Sequence, residues 1–132
     1  MYCLDTNSVI DIFRGRDPQL KAKIEQMRKL GINFAITTIT LCELYKGAFL
    51  SSNKEHGLAQ INAFLESVTL AAQGKPSCLL FGQDFVLLKS KGTQTEEIDL
   101  MIASICKANN YILVTRNVKD FKNIPDLVVN AW

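Results

Sequence analysis

One pattern recurs along the chain and restricts its fold more than any other feature: a short apolar run that stops on polar side chains, followed by a stretch with helical periodicity. Tyr2-Cys3-Leu4 stops on Asp5-Thr6-Asn7-Ser8, Phe34-Ala35-Ile36 on Thr37-Thr38, and Tyr111-Ile112-Leu113-Val114 on Thr115-Arg116-Asn117. Runs this short, with no apolar-polar alternation, suit strands buried on both faces. Helices between such strands supply the crossovers that parallel pairing requires, so the pattern predicts an α/β sandwich with a parallel sheet. Ser67 to Ala71 reads as a further short strand at the sheet edge, and Leu127-Val128-Val129 as the last strand.

The helices between them have readable ends. Gly15 stops a first helix carrying Val9, Ile10, Ile12 and Phe13, and Pro18 opens a second that runs to about Leu30, where Gly31 ends it. The helix from about Ile39 to Leu50 is apolar almost all round and is expected to be largely buried. Leu58 to Leu65 and Ser77 to Lys89 show two more helical patterns. Glu96-Glu97-Ile98-Asp99 opens a helix whose core stripe reads as Ile98, Met101, Ile102 and Ile105. Asp120 and Phe121 fall in a short turn or helix that Pro125 breaks.

The length, 132 residues, fits one domain spanning 1–132. With 48% hydrophobic and 21% charged residues and no apolar stretch of membrane-spanning length, the reading is a soluble protein with no membrane partner. The first residues lack the basic and apolar regions of a signal peptide, so a cytoplasmic location is expected. Cys3, Cys42, Cys78 and Cys106 are widely spaced in apolar segments without a C-x-x-C pair, the pattern of buried free thiols rather than zinc ligands or a disulfide framework. His56, the single histidine, lies in the polar stretch from Ser51 to Gly57, which leaves no dyad for nucleophilic catalysis. Net charge is only +2, so basic clusters matter more than the total. Basic residues cluster at Arg14 and Arg16, at Lys21, Lys23, Arg28 and Lys29, and at Arg116, Lys119 and Lys122; each could be a solvated helix face, and the Lys21 to Lys29 group reads as one.

The chemistry rests on acids. Asp5 stands at the C-terminal end of the first strand, the rim at which open α/β sheets bind ligands, although it could simply cap the following helix. Glu43 sits within an apolar helix beside Ile39, Thr40, Gly47 and Leu50, with Lys46 at the edge of that face as its one available cation. Asp99 lies along the margin of a core stripe with Ala103 and Cys106; Glu96 shares its side and Glu97 points away. Asp120 or Asn117 makes a fourth member. Acids brought to one rim offer oxygen ligands alone, a set that selects Mg²⁺ or Mn²⁺. Such an ion activates water and stabilises charge on a phosphodiester, so metal-assisted phosphodiester hydrolysis is the reaction class that fits. Arg14, Lys46 and Arg116, close in sequence to these acids, are candidates for contact with the phosphates of the phosphodiester substrate or with a partner's carboxylate.

Four segments also resemble the successive motifs of PIN-domain proteins, specifically VapC-type toxins of toxin-antitoxin pairs: Leu4-Asp5-Thr6-Asn7, Thr37 to Gly47, Ile98 to Ala103, and Val114 to Phe121. The resemblance covers the whole chain. It implies a PIN-like α/β/α sandwich with a short five-stranded parallel sheet, Mg²⁺- or Mn²⁺-dependent endoribonuclease activity, homodimerisation, and inhibition by a cognate antitoxin. By position, Asp5, Glu43 and Asp99 match the family's three metal-binding acids, and Thr6, Asn7 and Thr115 match residues that hydrogen-bond the acids or metal waters. Where family members often carry a fourth acid, this chain has Asn117, with Asp120 three residues on. Receiver-type signalling domains need a lysine closing the last strand, and haloacid-dehalogenase-type phosphatases an aspartate where this chain has Asn7; both requirements fail. The remaining alternative is a PIN-fold binding module without catalysis.

Overall fold

The computed structural model describes residues 1–93 and 95–132. Strands Tyr2–Leu4 (β1), Phe34–Thr37 (β2), Thr69–Ala71 (β3), Ile112–Val114 (β4) and Val129–Asn130 (β5) form one sheet in the order β3-β2-β1-β4-β5, with every pairing parallel. Helices Thr6–Phe13 (α1), Pro18–Lys29 (α2), Thr38–Leu50 (α3), Lys54–Leu65 (α4), Lys75–Ser90 (α5), Glu97–Ala108 (α6) and Val118–Phe121 (α7) provide the connections. The chain steps outward from β1 to β3, then crosses back to β4 and β5. The strand order therefore reverses between β1 and β4, and the crevice beyond their C-terminal ends is the topological switch point.

The missing alternation in the strands has a direct cause. Cys3, Ala35 and Leu113 face a core completed by Leu100, Ile102 and Phe121, whereas Leu4, Phe34, Ile36 and Val114 face one completed by Val9, Leu44 and Ile61. Both faces are covered, and each buried Leu, Ile or Phe contributes about 1.5–3 kcal/mol.

Several helices differ from the sequence reading. Only Thr40, Leu44 and Ala48 of α3 are buried, because α1, α4 and the sheet cover one side of it; Cys42, Phe49 and Leu50 lie exposed. Cys78 is exposed as well, so buried thiols describe Cys3 and Cys106 alone. In α6 the core positions are Leu100, Ile102, Ala103, Ile105 and Cys106, and Ile98 is exposed. Leu100 onward lies in the core shared with α5 and the sheet, whereas the first turn opens onto the rim. Arg28 is not on a solvated face: it is half-buried over the Phe34 ring, with Nε and Nη2 lacking partners among the described residues. The last strand starts at Val129 rather than Leu127, after Asp126 turns the chain with φ of 60°.

Two ion pairs join elements. Lys107 Nζ on α6 meets Asp84 Oδ2 on α5 at 2.6 Å, both side chains nearly inaccessible. Arg116, beyond β4, pairs with the buried Asp17 that caps α2.

Candidate active site

Asp5 is fixed by the sheet register. Leu4 pairs with Val114, so the chain's next residue donates its N–H to the Val114 carbonyl at 3.0 Å and lies against Thr115. Its carboxylate is held at both oxygens: Oδ1 accepts from the Thr6 backbone N–H at 2.8 Å and Oδ2 from the Thr115 hydroxyl at 2.9 Å. Asp5 thus caps α1, and it faces the crevice as well. Thr115 Oγ1 in turn accepts from the Asn117 N–H at 3.1 Å, which folds the turn after β4 toward the same point.

Glu43 is reached through a row of hydroxyls. Thr37 ends β2 and caps α3 by accepting from the Thr40 N–H at 3.0 Å. Its hydroxyl is 3.3 Å from that of Thr40, Thr40 Oγ1 is 3.0 Å from Thr6 Oγ1, and Thr6 Oγ1 is 2.8 Å from Glu43 Oε1. Each hydroxyl has one proton and an ionised carboxylate only accepts, so Thr6 donates to Glu43 and the row runs Thr37 to Thr40 to Thr6 to Glu43. This answers how a carboxylate is tolerated on α3 without an ion pair to Lys46: among the described residues the only ion pairs are those of Asp84 and Asp17.

Asp5, Glu43, Asp99 and Asp120 line one hollow of about 440 Å³, together with Thr6, Asn7, Asn117, Lys46, Glu96 and Lys119. Their charges act on one another. Burial raises the Asp5 carboxyl above its ordinary pKa, opposed by its bonds from Thr115 and Thr6 and reinforced by Glu43 and Asp120. Asp99, half-buried, is pushed up to about 6 by burial first, then by Asp5, Glu96, Asp120 and Glu43. A cation in the hollow would relieve the repulsion that Asp5 and Asp99 feel from their neighbours.

The donor set fits a divalent ion of the hard-oxygen class. Among the described residues no three acid, histidine or cysteine side chains are grouped closely enough to hold a metal ion together.

The residues singled out from the sequence divide in two. Asp5, Thr6, Asn7, Glu43, Lys46, Asp99, Asn117 and Asp120 share the hollow, and Thr115 supports it from below. Arg14 and Arg116 lie outside it, in an adjoining hollow that shares Asn7 and Asn117. Three contributors were not singled out: the Thr37–Thr40 pair, signalled by its i, i+3 capping spacing and by Thr40 lying one turn before Glu43; Glu96, one turn before Asp99; and Lys119, next to Asp120. His56 is exposed and lines a different groove, one that shares Glu43 with the acid hollow but none of Asp5, Asp99 and Asp120.

Residues 2–127 match the family model of the PIN domain. The chain is similar to Ribonuclease VapC1 of Haemophilus influenzae, 33% identical over all of this chain and 98% of that protein. Among solved structures it is similar to VapBC2 from Rickettsia felis bound to a DNA fragment from their promoter, with a TM-score of 0.92, 30% identity, and coverage of 99% of this chain and 98% of that one. It is also similar to VapBC-1 from nontypeable Haemophilus influenzae, with a TM-score of 0.87, 35% identity, and coverage of 99% and 97%. A likeness of this extent, in a chain whose sheet reverses order at β1 with acids gathered over the reversal, settles the family: the chain belongs to the PIN-domain family, on its VapC branch.

Proposed function

We propose that this protein is the toxin of a toxin-antitoxin pair, an endoribonuclease that hydrolyses RNA phosphodiester bonds with Mg²⁺ or Mn²⁺ and is neutralised by a cognate antitoxin. The observation that carries the reading is the convergence of Asp5, Glu43, Asp99 and Asp120 on one hollow at the switch point. The names of its relatives support it: one is a ribonuclease, and the solved neighbours are VapBC assemblies.

In this reading Asp5, Glu43 and Asp99 would hold the ion, directly or through its waters. When bound, it supplies Lewis-acid activation of water and neutralises charge developing on the phosphodiester. Thr115 and the Thr6 N–H fix the plane of the Asp5 carboxylate, while Thr6 leaves Glu43 Oε2 free to turn into the hollow. Asp120 and Asn117 face the same space and orient water, Asp120 as a proton acceptor and Asn117 through its amide. Lys46 and Lys119 at the rim attract the phosphate that an all-acid hollow would repel. The cytoplasm is the compartment we assign, with the RNA. A homodimer is proposed as well, supported by exposed apolar side chains such as Phe49, Leu50 and Val86, and equilibrium sedimentation tests it.

Purified protein is expected to cut RNA with Mg²⁺ or Mn²⁺ and to stop in chelator; undiminished cleavage in excess chelator overturns the mechanism. Glu43→Gln is expected to abolish cutting and keep the fold, since the amide oxygen still accepts from Thr6. A wild type that binds RNA or a partner protein but cuts no RNA with either ion would favour the binding-module alternative.

A further inference from the structure

We propose that the hollow beside the acids is a phosphate-binding subsite, in which Arg14 and Arg16 seat a backbone phosphate of the RNA strand whose scissile bond lies at the acids. The inference rests on the ribonuclease reading and adds where the flanking strand runs.

The hollow is built from the end of α1. Gly15 adopts φ of +65°, a conformation in which a side chain would be strained, and closes the helix with Gly15 N–H donating to Ile12 O at 3.1 Å and Arg16 N–H donating to Asp11 O at 2.9 Å. The reversal places Arg14 and Arg16 on the lining of a single hollow of about 320 Å³. Both are exposed, and among the described residues neither is in an ion pair. Arg116 lines the same hollow but is committed to Asp17, a buried acid whose other oxygen caps α2. Asp11 is the one acid on the lining.

Two observations select RNA over a protein partner. Apart from Ile10, the residues lining this hollow are polar or charged, which suits a charged ligand better than an apolar side chain. The groove between α1, α3 and α4, lined by Phe13, Leu44, Ala48 and Ile61, is where apolar anchors would go; it meets the arginine hollow at Ile10 and Arg14, whereas Arg16 lines the arginine hollow without lining the groove. The arginine hollow is also continuous with the acid hollow, sharing Asn7 and Asn117, so a strand held at the acids passes directly over it. A guanidinium pair is suited to a phosphate, which it meets with parallel N–H donors.

The test is binding of a fluorescein-labelled single-stranded oligoribonucleotide in chelator, where no cleavage occurs, to the wild type and to the Arg14→Gln, Arg16→Gln double variant, with cleavage assayed separately in Mg²⁺. The double variant is expected to bind at least about tenfold more weakly and to show a shallower dependence of log affinity on log salt, by about 0.7 for each phosphate it no longer neutralises. Arg14→Lys with Arg16→Lys, which keeps the charge, should recover most of the affinity, and all variants should melt like the wild type because both side chains lie in solvent. Unchanged affinity and slope, in a wild type that cuts RNA, overturn the subsite and leave the ribonuclease reading standing. Unchanged RNA affinity with weakened antitoxin binding makes the hollow a protein interface and also overturns it. A wild type that neither binds nor cuts RNA removes both readings together.

Discussion

Thr115 shows how much of the site hangs on a single hydroxyl. It donates to Asp5 Oδ2, accepts from the Asn117 N–H, and is only 1% exposed. Thr115→Val keeps the volume and removes both bonds. A hydrogen bond to a charged group is worth about 1.5–3 kcal/mol, part of which a water entering from the hollow can recover. Denaturant melts at pH 7 in chelator should show the variant weaker by about 1–2 kcal/mol, and a Mg²⁺ titration of cleavage should show a raised half-saturation. Asp99 makes the pH prediction. Its folded pKa is raised from 3.8 to about 6, so between those values the folded state binds more protons than the unfolded one. Metal-free stability must then rise as pH falls from about 6 to about 4, and the strain is full above pH 6. Because Asp99 is only half-buried, solvent screening reduces the gain to about 1 kcal/mol. Melts across that range should show it in wild type and lose it in Asp99→Asn; a wild-type stability that falls steadily from pH 6 to pH 5 in chelator would contradict the raised value.

Among the elements, the α5–α6 contact depends on a charge pair that sequence periodicity does not reveal. Asp84 and Lys107 are almost fully enclosed, and removing one partner of a buried pair costs about 3–5 kcal/mol by stranding the other charge. Lys107→Met should destabilise by that order, and adding Asp84→Leu should restore much of it; equal damage in single and double variants would mean that packing, not charge, holds the two helices together. The Arg116–Asp17 pair joins the turn after β4 to the N-terminus of α2. Asp17→Asn still caps α2, so a double-mutant cycle with Arg116→Gln isolates the pair; half of Arg116 lies in solvent, and a coupling of about 1 kcal/mol is expected. Strand positions, helix order and the three main acids were legible because each leaves a local mark: an apolar run with a polar stop, a capping residue, an acid out of place on an apolar helix. What periodicity misread were faces. Ile98 and Phe49 look like core and are exposed because their helices extend beyond the cover available, and the burial of Asp84 leaves no local mark because its partner lies 23 residues on. Arg116 looked free for RNA for the same reason: Asp17 is 99 residues away in sequence.

The whole molecule brings Asp5 from the end of β1, Glu43 from α3, Asp99 from α6 and Asp120 from α7 together at one rim, and the cohesion of two covered sheet faces is what holds like charges there. Asp5→Asn tests this directly. The amide keeps an oxygen for the Thr6 N–H, and its NH₂ can donate to the Thr115 hydroxyl, so shape and cap survive while one charge disappears. Unit charges several ångströms apart at an effective dielectric of 20 interact by a few kcal/mol, of which solvent access leaves about 1 kcal/mol. In chelator at pH 7 the variant should therefore be inactive yet more stable than wild type by about 1 kcal/mol. The advantage should shrink below pH 6, where Asp99 protonates and the repulsion it relieves is already fading. It should also shrink or reverse in Mg²⁺, because an ion that binds the folded wild type alone stabilises that state by mass action. If Asp5 were a helix cap and nothing more, Asn would cap about as well, and the two proteins would melt together with or without metal. Denaturant melts of both, in chelator and in Mg²⁺, separate the two cases; a variant equal to or weaker than wild type in chelator would mean that the acids, though gathered on one hollow, do not act on each other as a cluster.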